Sequence, residues 1–238
     1  MSEPKTPSRT GSSEVARGTS SSSEVDAFLS KVQSLTPTVA GGGRLIFAMD
    51  ATMSRQPTWD LALGLQSEMF RAVKKVGGLD VQLMYFRGFG ECRASKWVRD
   101  PDALARLMRQ VHCEGGHTQI RKVLTHARKE TGRQTVNALV YVGDCMEENV
   151  DALCQLAGEL GLVGVPVFVF QEGHDARAEQ AFKEIARLSR GAYCRFDAGS
   201  AAQLRALLNA VAVYASGGRK ALENAKSGAA TLLLEQLR

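Results

Sequence analysis

The sequence predicts a doubly wound α/β domain, in which helices cover both faces of a mostly parallel sheet that has one antiparallel edge strand. Short, continuously apolar segments alternate with longer amphipathic segments along most of the chain. Glycines follow or interrupt the ends of several amphipathic segments, as at Gly77-Gly78 and Gly132. Two apolar segments run directly into an aspartate, Asp50 and Asp144. Such alternation is typical of parallel strands that are joined by helical crossovers.

The predicted strands are short apolar runs between turn residues. An unbroken run such as LIFAM suits a central parallel strand, because both faces of that strand are buried. The two glycines after the second strand predict a hairpin, so the next strand returns antiparallel along the edge of the sheet. The strands are predicted at 45–49, 81–86, 92–98, 137–143, 165–170 and 192–196.

The predicted helices combine apolar residues at helical spacing with residues that begin or end helices. Asp100-Pro101, for example, places a capping side chain directly before a proline in the first turn. The helices are predicted at 25–35, 59–76, 101–111, 119–131, 148–160, 175–189, 201–214 and 219–237.

Composition divides the chain into four segments. Residues 1–23 are rich in Ser, Thr, Arg and Glu and are predicted to be a disordered tail. Residues 24–43 are predicted to form a short helix and a linker. Residues 44–216 are predicted to form the folded domain, and residues 217–238 a helical extension at the C-terminus.

Composition also limits the class of function. The net charge is +5, but the basic residues are scattered without interleaved aromatics, which argues against nucleic-acid binding. No apolar run reaches the roughly 18 residues of a membrane span, and the first residues lack the apolar core of a secretory signal. The five cysteines are odd in number and contain no CxxC pair, which indicates reduced thiols. We therefore expect a cytoplasmic protein that does not bind membranes.

Three segments with oxygen-bearing side chains fall at one edge of the predicted sheet. The first is Asp50-Ala51-Thr52-Met53-Ser54, and the second is the loop Gly115-Gly116-His117-Thr118. The third is Gly143-Asp144, at the end of a strand. The carboxyl ends of parallel strands share an edge, where ligands bind. Carboxylate and hydroxyl oxygens are hard ligands that suit Mg²⁺ or Mn²⁺.

These segments resemble the metal-ion-dependent adhesion site (MIDAS) of von Willebrand factor A (vWA) domains. The segment from Asp50 to Ser54 resembles the DxSxS motif, and Thr52 keeps the hydroxyl of its first serine. The loop that ends in Thr118 resembles the family's Gly-Gly-x-Thr loop, and Asp144 matches its last aspartate. The resemblance covers roughly residues 44–215 and implies a bacterial-type intracellular member of the family.

The resemblance implies a site for one six-coordinate Mg²⁺ or Mn²⁺ ion. Thr52 and Ser54 are expected to bind the ion through their hydroxyls, and Thr118 directly or through water. Asp50 and Asp144 are expected to act mostly through bound water. A partner protein's Asp or Glu carboxylate is expected at the open position. The implied function is a metal-dependent protein–protein interaction module and not an enzyme.

The third motif departs from the family, which commonly has Thr-Asp-Gly where this chain has Gly143-Asp144-Cys145. Glu147 and Glu148 follow closely. These glutamates either repel an acidic ligand or are solvated residues in the first turn of the next helix, where the helix dipole favours acids. We prefer the second interpretation.

Two other functions remain open. A haloacid dehalogenase-like phosphatase also begins with a strand that ends in an aspartate, but its general acid would stand at position 52, which is Thr52 here. A vWA scaffold could instead present Trp59, Phe89 or the terminal helices to a partner without metal. Four residues near the predicted site are either interface anchors or packing residues: Arg55, Trp59, Arg87 and Phe89.

Histidines and cysteines offer further candidate ligands and nucleophiles. His112, Cys113 and His117 have spacing that suits zinc ligands, but the sequence shows no fourth ligand. Cys145 is interpreted as a buried thiol, because no histidine with a supporting acid can be placed beside it. His117 is interpreted as an exposed residue at the rim of the site.

Overall fold

One six-stranded sheet forms the centre of the computed structural model, which describes Ala27, residues 43–55, residues 79–197, Ala206 and residues 208–216. The strands are β1 (Gly43–Asp50), β2 (Leu79–Arg87), β3 (Glu91–Ala94), β4 (Ala138–Gly143), β5 (Val167–Glu172) and β6 (Ala192–Phe196). The helices are α1 (Pro101–Arg109), α2 (Ile120–Arg133), α3 (Val150–Leu162) and α4 (Ala176–Leu188). Residues 208–216 are also helical.

Several predicted elements lie outside the described residues. They are the tail 1–23, the helix 25–35 apart from Ala27, the linker up to residue 42, the helix 59–76 with Trp59, and the extension 217–238. The helix predicted at 201–214 is described at Ala206 and from Leu208, and it continues to Ser216. The predicted segment boundaries stay predictions.

Strand β1 lies at the centre of the sheet, whose strand order is β3-β2-β1-β4-β5-β6. It pairs in parallel with β2 on one side and with β4 on the other. All eight of its residues are buried. Phe47 packs into one core layer and Ile46 into the other, which explains why the run of apolar residues is unbroken.

Helices cover both faces of the sheet, as predicted. Leu104 and Met108 of α1 pack in one core layer with the helical residues 208–216. Helices α2, α3 and α4 pack in the other layer, where Phe182 of α4 contacts Tyr141 of β4 at a ring-centroid distance of 5.5 Å. The prediction of a doubly wound α/β fold is confirmed.

The edge strand β3 is antiparallel, as predicted, but it is shorter than the predicted segment 92–98. Arg87 pairs with Glu91 across the hairpin, and Gly88 adopts a positive φ of 58° in the turn. The regular ladder ends because the Leu83 N–H donates to the Ser95 hydroxyl at 3.0 Å and not to a backbone carbonyl. A single bridge between Val81 and Val98 follows.

The helix ends depend on capping side chains more than on glycines. Asp100 caps α1 as predicted, and its side chain accepts the N–H groups of residues 102 and 103. The expectation that Gly132 ends α2 is wrong, because the helix continues to Arg133. Helix α3 begins at Val150 and not at residue 148, because Asn149 provides the capping oxygen. None of the described helices combines the length and apolar character needed to cross a bilayer.

Candidate metal centre

Two neighbouring parallel strands bring the predicted aspartates together. Met49 of β1 is in register with Val142 of β4, so Asp50 and Asp144 follow at the same edge of the sheet. One potential ligand atom from each of Asp50, Asp144 and Cys145 lies within 4.8 Å of the other two. Within the described ranges, no other three His, Cys, Asp or Glu side chains form such a group. The predicted sheet topology therefore accounts for the proximity of the two acids.

Asp50 is buried and Asp144 is half-buried, and each carboxylate has one buried oxygen without a hydrogen-bond donor among the described residues. Asp50 is completely buried, and its Oδ1 accepts the Thr52 N–H at 2.8 Å. Asp50 Oδ2 and Asp144 Oδ1 have no donor among the described residues. Burial raises the pKa of Asp50 to about 6; the hydrogen bonds from Thr52 lower it and the charge of Asp144 raises it. Two buried acceptors that lack donors fit a cation, since burial of unpaired carboxylates is costly.

The segment after β1 places two hydroxyls side by side. A single 3-10 turn, Met53–Arg55, follows Thr52. The Thr52 Oγ1 and Ser54 Oγ atoms are 3.1 Å apart. Neighbouring oxygens on an octahedral ion with bonds of about 2.1 Å are about 3 Å apart. The hydroxyl pair therefore has a separation that one small divalent ion can accept.

Thr118 is connected to the segment that follows Asp144. The Thr118 N–H donates to Glu147 Oε2 at 2.9 Å, and the Glu147 N–H donates to Thr118 Oγ1 at 3.2 Å. The loop before Thr118 packs tightly on the hairpin turn, because a Cβ atom on Gly116 would lie 2.0 Å from the Gly88 carbonyl oxygen. Thr118 is thus joined to the segment after Asp144 through Glu147. The first segment contacts the residue before this loop, because the Glu114 N–H donates to the Ala51 carbonyl at 3.0 Å.

Tyr141 lies directly beneath the end of β4. Its hydroxyl is buried and has no hydrogen-bond partner among the described residues. A Cβ atom on Gly143 would lie 2.4 Å from that hydroxyl oxygen. Burial raises the pKa of Tyr141, and the nearby charges of Asp50 and Asp144 raise it further. The phenol is therefore neutral and fills the space under the two acids.

Comparisons with known proteins identify the fold. No protein-family model matches the sequence, and no curated protein is a significant match. Among solved structures, the SpRpn10 VWA domain matches with a TM-score of 0.54 and 11% identity, over 65% of this chain and 88% of that domain. An aerotolerance-related membrane protein from Bacteroides fragilis matches with a TM-score of 0.50 and 18% identity, over 68% and 96% of the two chains.

A third similar structure is that of proximal thread matrix protein 1 from the mussel byssus, with a zinc-occupied MIDAS motif. The TM-score is 0.59 at 17% identity, over 73% of this chain and 46% of the mussel protein. This chain has the vWA fold. The antiparallel strand β3 at the edge of the sheet, predicted with the fold, agrees with this assignment.

In this vWA fold, Glu148 caps a helix that is distant in sequence. Its carboxylate accepts the N–H groups of Ile120 and Arg121 at the start of α2. The side chain of Gln119, the residue that precedes α2, makes no capping hydrogen bond. The interpretation of Glu147 and Glu148 as first-turn residues of the next helix is wrong, because that helix begins at Val150. Glu147 is solvated as expected, whereas Glu148 is half-buried. Both carboxylates bind backbone N–H groups of the Thr118 loop or of α2.

The residues that were predicted as anchors or packing residues differ in exposure. Arg55 is buried and forms an ion pair with Glu172 at the end of β5, so it is a packing residue. Arg87 forms ion pairs with Glu91 at 2.9 Å and with Glu114 at 3.5 Å. Phe89 is 84% exposed. Its ring contacts the exposed His117 edge-on, with the ring centroids 5.2 Å apart.

The structure changes the interpretation of the cysteines in this chain. Cys145 is half-buried, and not buried as predicted, because it lies in the loop at the edge of the sheet. Burial and the neighbouring charge of Asp144 raise its pKa to about 12, which makes the free thiol a poor nucleophile. His112, Cys113 and His117 do not form a metal-ligating group in the described part of the chain. No disulfide joins any of the five cysteines, all of which are described.

Proposed function

We propose that this chain is a divalent-cation-dependent protein interaction module. The observation that carries the proposal is the pair of buried carboxylate oxygens, Asp50 Oδ2 and Asp144 Oδ1, that lack donors among the described residues. The hydroxyls of Thr52 and Ser54 follow Asp50 in the same turn. A cation offsets the cost of burying two like charges, and carboxylate and hydroxyl oxygens suit Mg²⁺ or Mn²⁺.

The residues of the proposed site have different roles in binding the ion. Thr52 and Ser54 would bind Mg²⁺ or Mn²⁺ through their hydroxyls, and Thr118 would bind it directly or through water. Asp50 and Asp144 would act on such an ion mostly through bound water. The mussel protein with a zinc-occupied MIDAS motif supports this arrangement, because it has the same fold. When bound, the ion supplies an electrophilic position for a partner's carboxylate. The proposal is binding without turnover.

A basic groove beside the site supports an acidic partner. It has a volume of about 700 Å³ and begins at Thr118. Arg121, Lys122 and Lys129 of α2 line it, together with the exposed Phe89. A partner that offers an Asp or Glu to the ion meets positive charges alongside it, and such complementary charges increase the rate and specificity of association. The reduced state of the cysteines supports a cytoplasmic location.

Calorimetric titration of Mg²⁺ and of Mn²⁺ into the metal-free chain tests the metal site. The wild type is expected to bind about one ion, and Asp50→Ala/Ser54→Ala is expected to weaken this at least about 100-fold. Asp80→Ala is the matched control, because Asp80 lies on β2 and pairs with the exposed Arg99. Equal binding by the wild type and the double variant would show that the site is assigned to the wrong residues.

Binding of a glutamate-rich peptide with and without chelator tests the acidic partner. Chelator is expected to abolish binding, and Lys129→Glu in the groove is expected to weaken it. Lys96→Glu is the control, because this exposed lysine does not line the groove. Binding that persists in chelator and in Asp50→Ala would favour the alternative in which the vWA fold presents a surface without metal.

A further inference from the structure

We infer that Cys145 is an additional ligand of the ion and that its sulfur makes the site selective for Zn²⁺-class ions over Mg²⁺. This inference rests on the proposed metal site. The family pattern has glycine at this position, so a sulfur donor is a property of this chain.

The geometry places the sulfur among the acids. The Cys145 Sγ lies within 4.8 Å of a carboxylate oxygen of Asp50 and of a carboxylate oxygen of Asp144. Sulfur and oxygen ligands of one Zn²⁺ ion are separated by about 3.5 Å, so the atoms need to approach by at most about 1.3 Å. Asp50 supplies a second, independent observation. It is completely buried, and its Oδ2 has no donor among the described residues.

The chemistry of the sulfur donor determines for which ions Cys145 increases the binding affinity. Thiolate sulfur binds Zn²⁺ and Co²⁺ strongly, whereas Mg²⁺ takes oxygen ligands and keeps water in place of sulfur. On binding, the S–H bond breaks, a sulfur–metal bond forms and the proton passes to solvent, without any change in oxidation state. Cys145 is half-buried, so an ion in solution can reach it.

Titration of Co²⁺ into the full metal-free chain, followed by near-ultraviolet absorption, tests the inference. The wild type is expected to develop a thiolate-to-cobalt charge-transfer band with about one equivalent of ion. Cys145→Ser is expected to remove the band and to weaken Zn²⁺ binding about 10-fold or more, while Mg²⁺ affinity changes less than about threefold. Cys113→Ser is the matched control. Cys113 is also half-buried, and the charges of Asp50 and Asp144 also influence its pKa.

The possible results separate this inference from the proposed function. If calorimetry shows that Co²⁺ binds but the charge-transfer band is absent, Cys145 is not a ligand. The same holds if the band survives in Cys145→Ser. In both cases the proposed metal site still stands. Absence of binding for Mg²⁺, Mn²⁺, Co²⁺ and Zn²⁺ overturns both. Circular dichroism of Cys145→Ser establishes that the variant is folded.

Discussion

The two ends of strand β1 carry buried charges in opposite circumstances. At its start, Arg44 is 7% exposed, and its guanidinium donates to the Gln134 carbonyl at 2.7 Å. The same group lies 3.7 Å from the centroid of the Trp97 ring and 3.6 Å from Glu130 Oε2. At its end, Asp50 is completely buried, and its Oδ2 has no donor among the described residues.

This difference between the surroundings of Arg44 and Asp50 indicates which end of β1 stabilises the fold. The groups around Arg44 compensate its burial through hydrogen bonds, an ion pair and an aromatic face. The groups around Asp50 leave the carboxylate incompletely compensated, and Asp144 adds a like charge. Incompletely satisfied buried groups are rare in folded proteins and commonly mark functional sites. Three changes test this contrast.

The largest expected effect is a pH dependence that comes from Asp50. Its pKa in the metal-free folded protein is about 6, above the ordinary value of 3.8. The folded state therefore binds the proton more tightly, so this contribution to stability is complete below about pH 4 and is lost as the pH rises through 6. We expect the free energy of unfolding to fall by about 3 kcal/mol over this range.

Urea denaturation between pH 4 and 7, in chelator, measures this contribution as the difference between the wild type and Asp50→Asn. The amide cannot titrate, so the two stability curves are expected to converge at low pH and diverge above about pH 5. Curves that stay parallel would contradict the assignment. A bound divalent ion is expected to reverse the loss at pH 7, because it stabilises only the folded state.

A smaller effect is expected at the other end of the strand. Arg44→Met is expected to lower the free energy of unfolding by about 2 kcal/mol, because the Gln134 carbonyl loses a charged donor and Glu130 loses an ion-pair partner. Glu130 keeps Trp97 and Arg133 as partners, which limits the loss. Divalent-ion affinity is expected to stay unchanged, as measured by calorimetry. Arg99→Met is the control, because its pair with Asp80 is exposed and is worth less than about 1 kcal/mol.

The smallest effect is expected for Thr118→Val, which removes the hydroxyl that accepts the Glu147 N–H. We expect a loss of about 1 kcal/mol in unfolding free energy without metal. We also expect a decrease of about 10-fold in ion affinity. Thr125→Val is the control, because Thr125 is exposed on α2. Unchanged ion affinity of Thr118→Val would show that Thr118 is not part of the metal site.

Local patterns were sufficient to predict most of the fold. The apolar run of β1 predicted a central strand, Asp100-Pro101 predicted the start of α1, and the strand at 192–196 was predicted with the observed bounds. The errors lie where a contact with another segment decides the outcome. The Ser95 hydroxyl replaces a backbone acceptor and ends the regular ladder of β3, which no local pattern reveals.

The candidate site was predictable where topology alone brings residues together. Asp50 and Asp144 end adjacent parallel strands, so their proximity follows from the strand order. The capping of α2 by Glu148 was not predictable, because it joins positions separated by 28 residues through side-chain packing. The proximity of the Cys145 sulfur to both acids also depends on the conformation of the loop.

The buried ring of Tyr141 couples position 143, next to Asp144, to the hydrophobic core. Because a Cβ atom at position 143 would lie 2.8 Å from the ring carbon that bears the hydroxyl, threonine cannot occupy this position beside Tyr141. The ring stacks on Phe86 and meets Phe182 edge-on, so it has little room to move aside. A threonine at position 143 is therefore expected to require a residue smaller than tyrosine at position 141. The residue before Asp144 and the aromatic core beneath it can thus be changed only together.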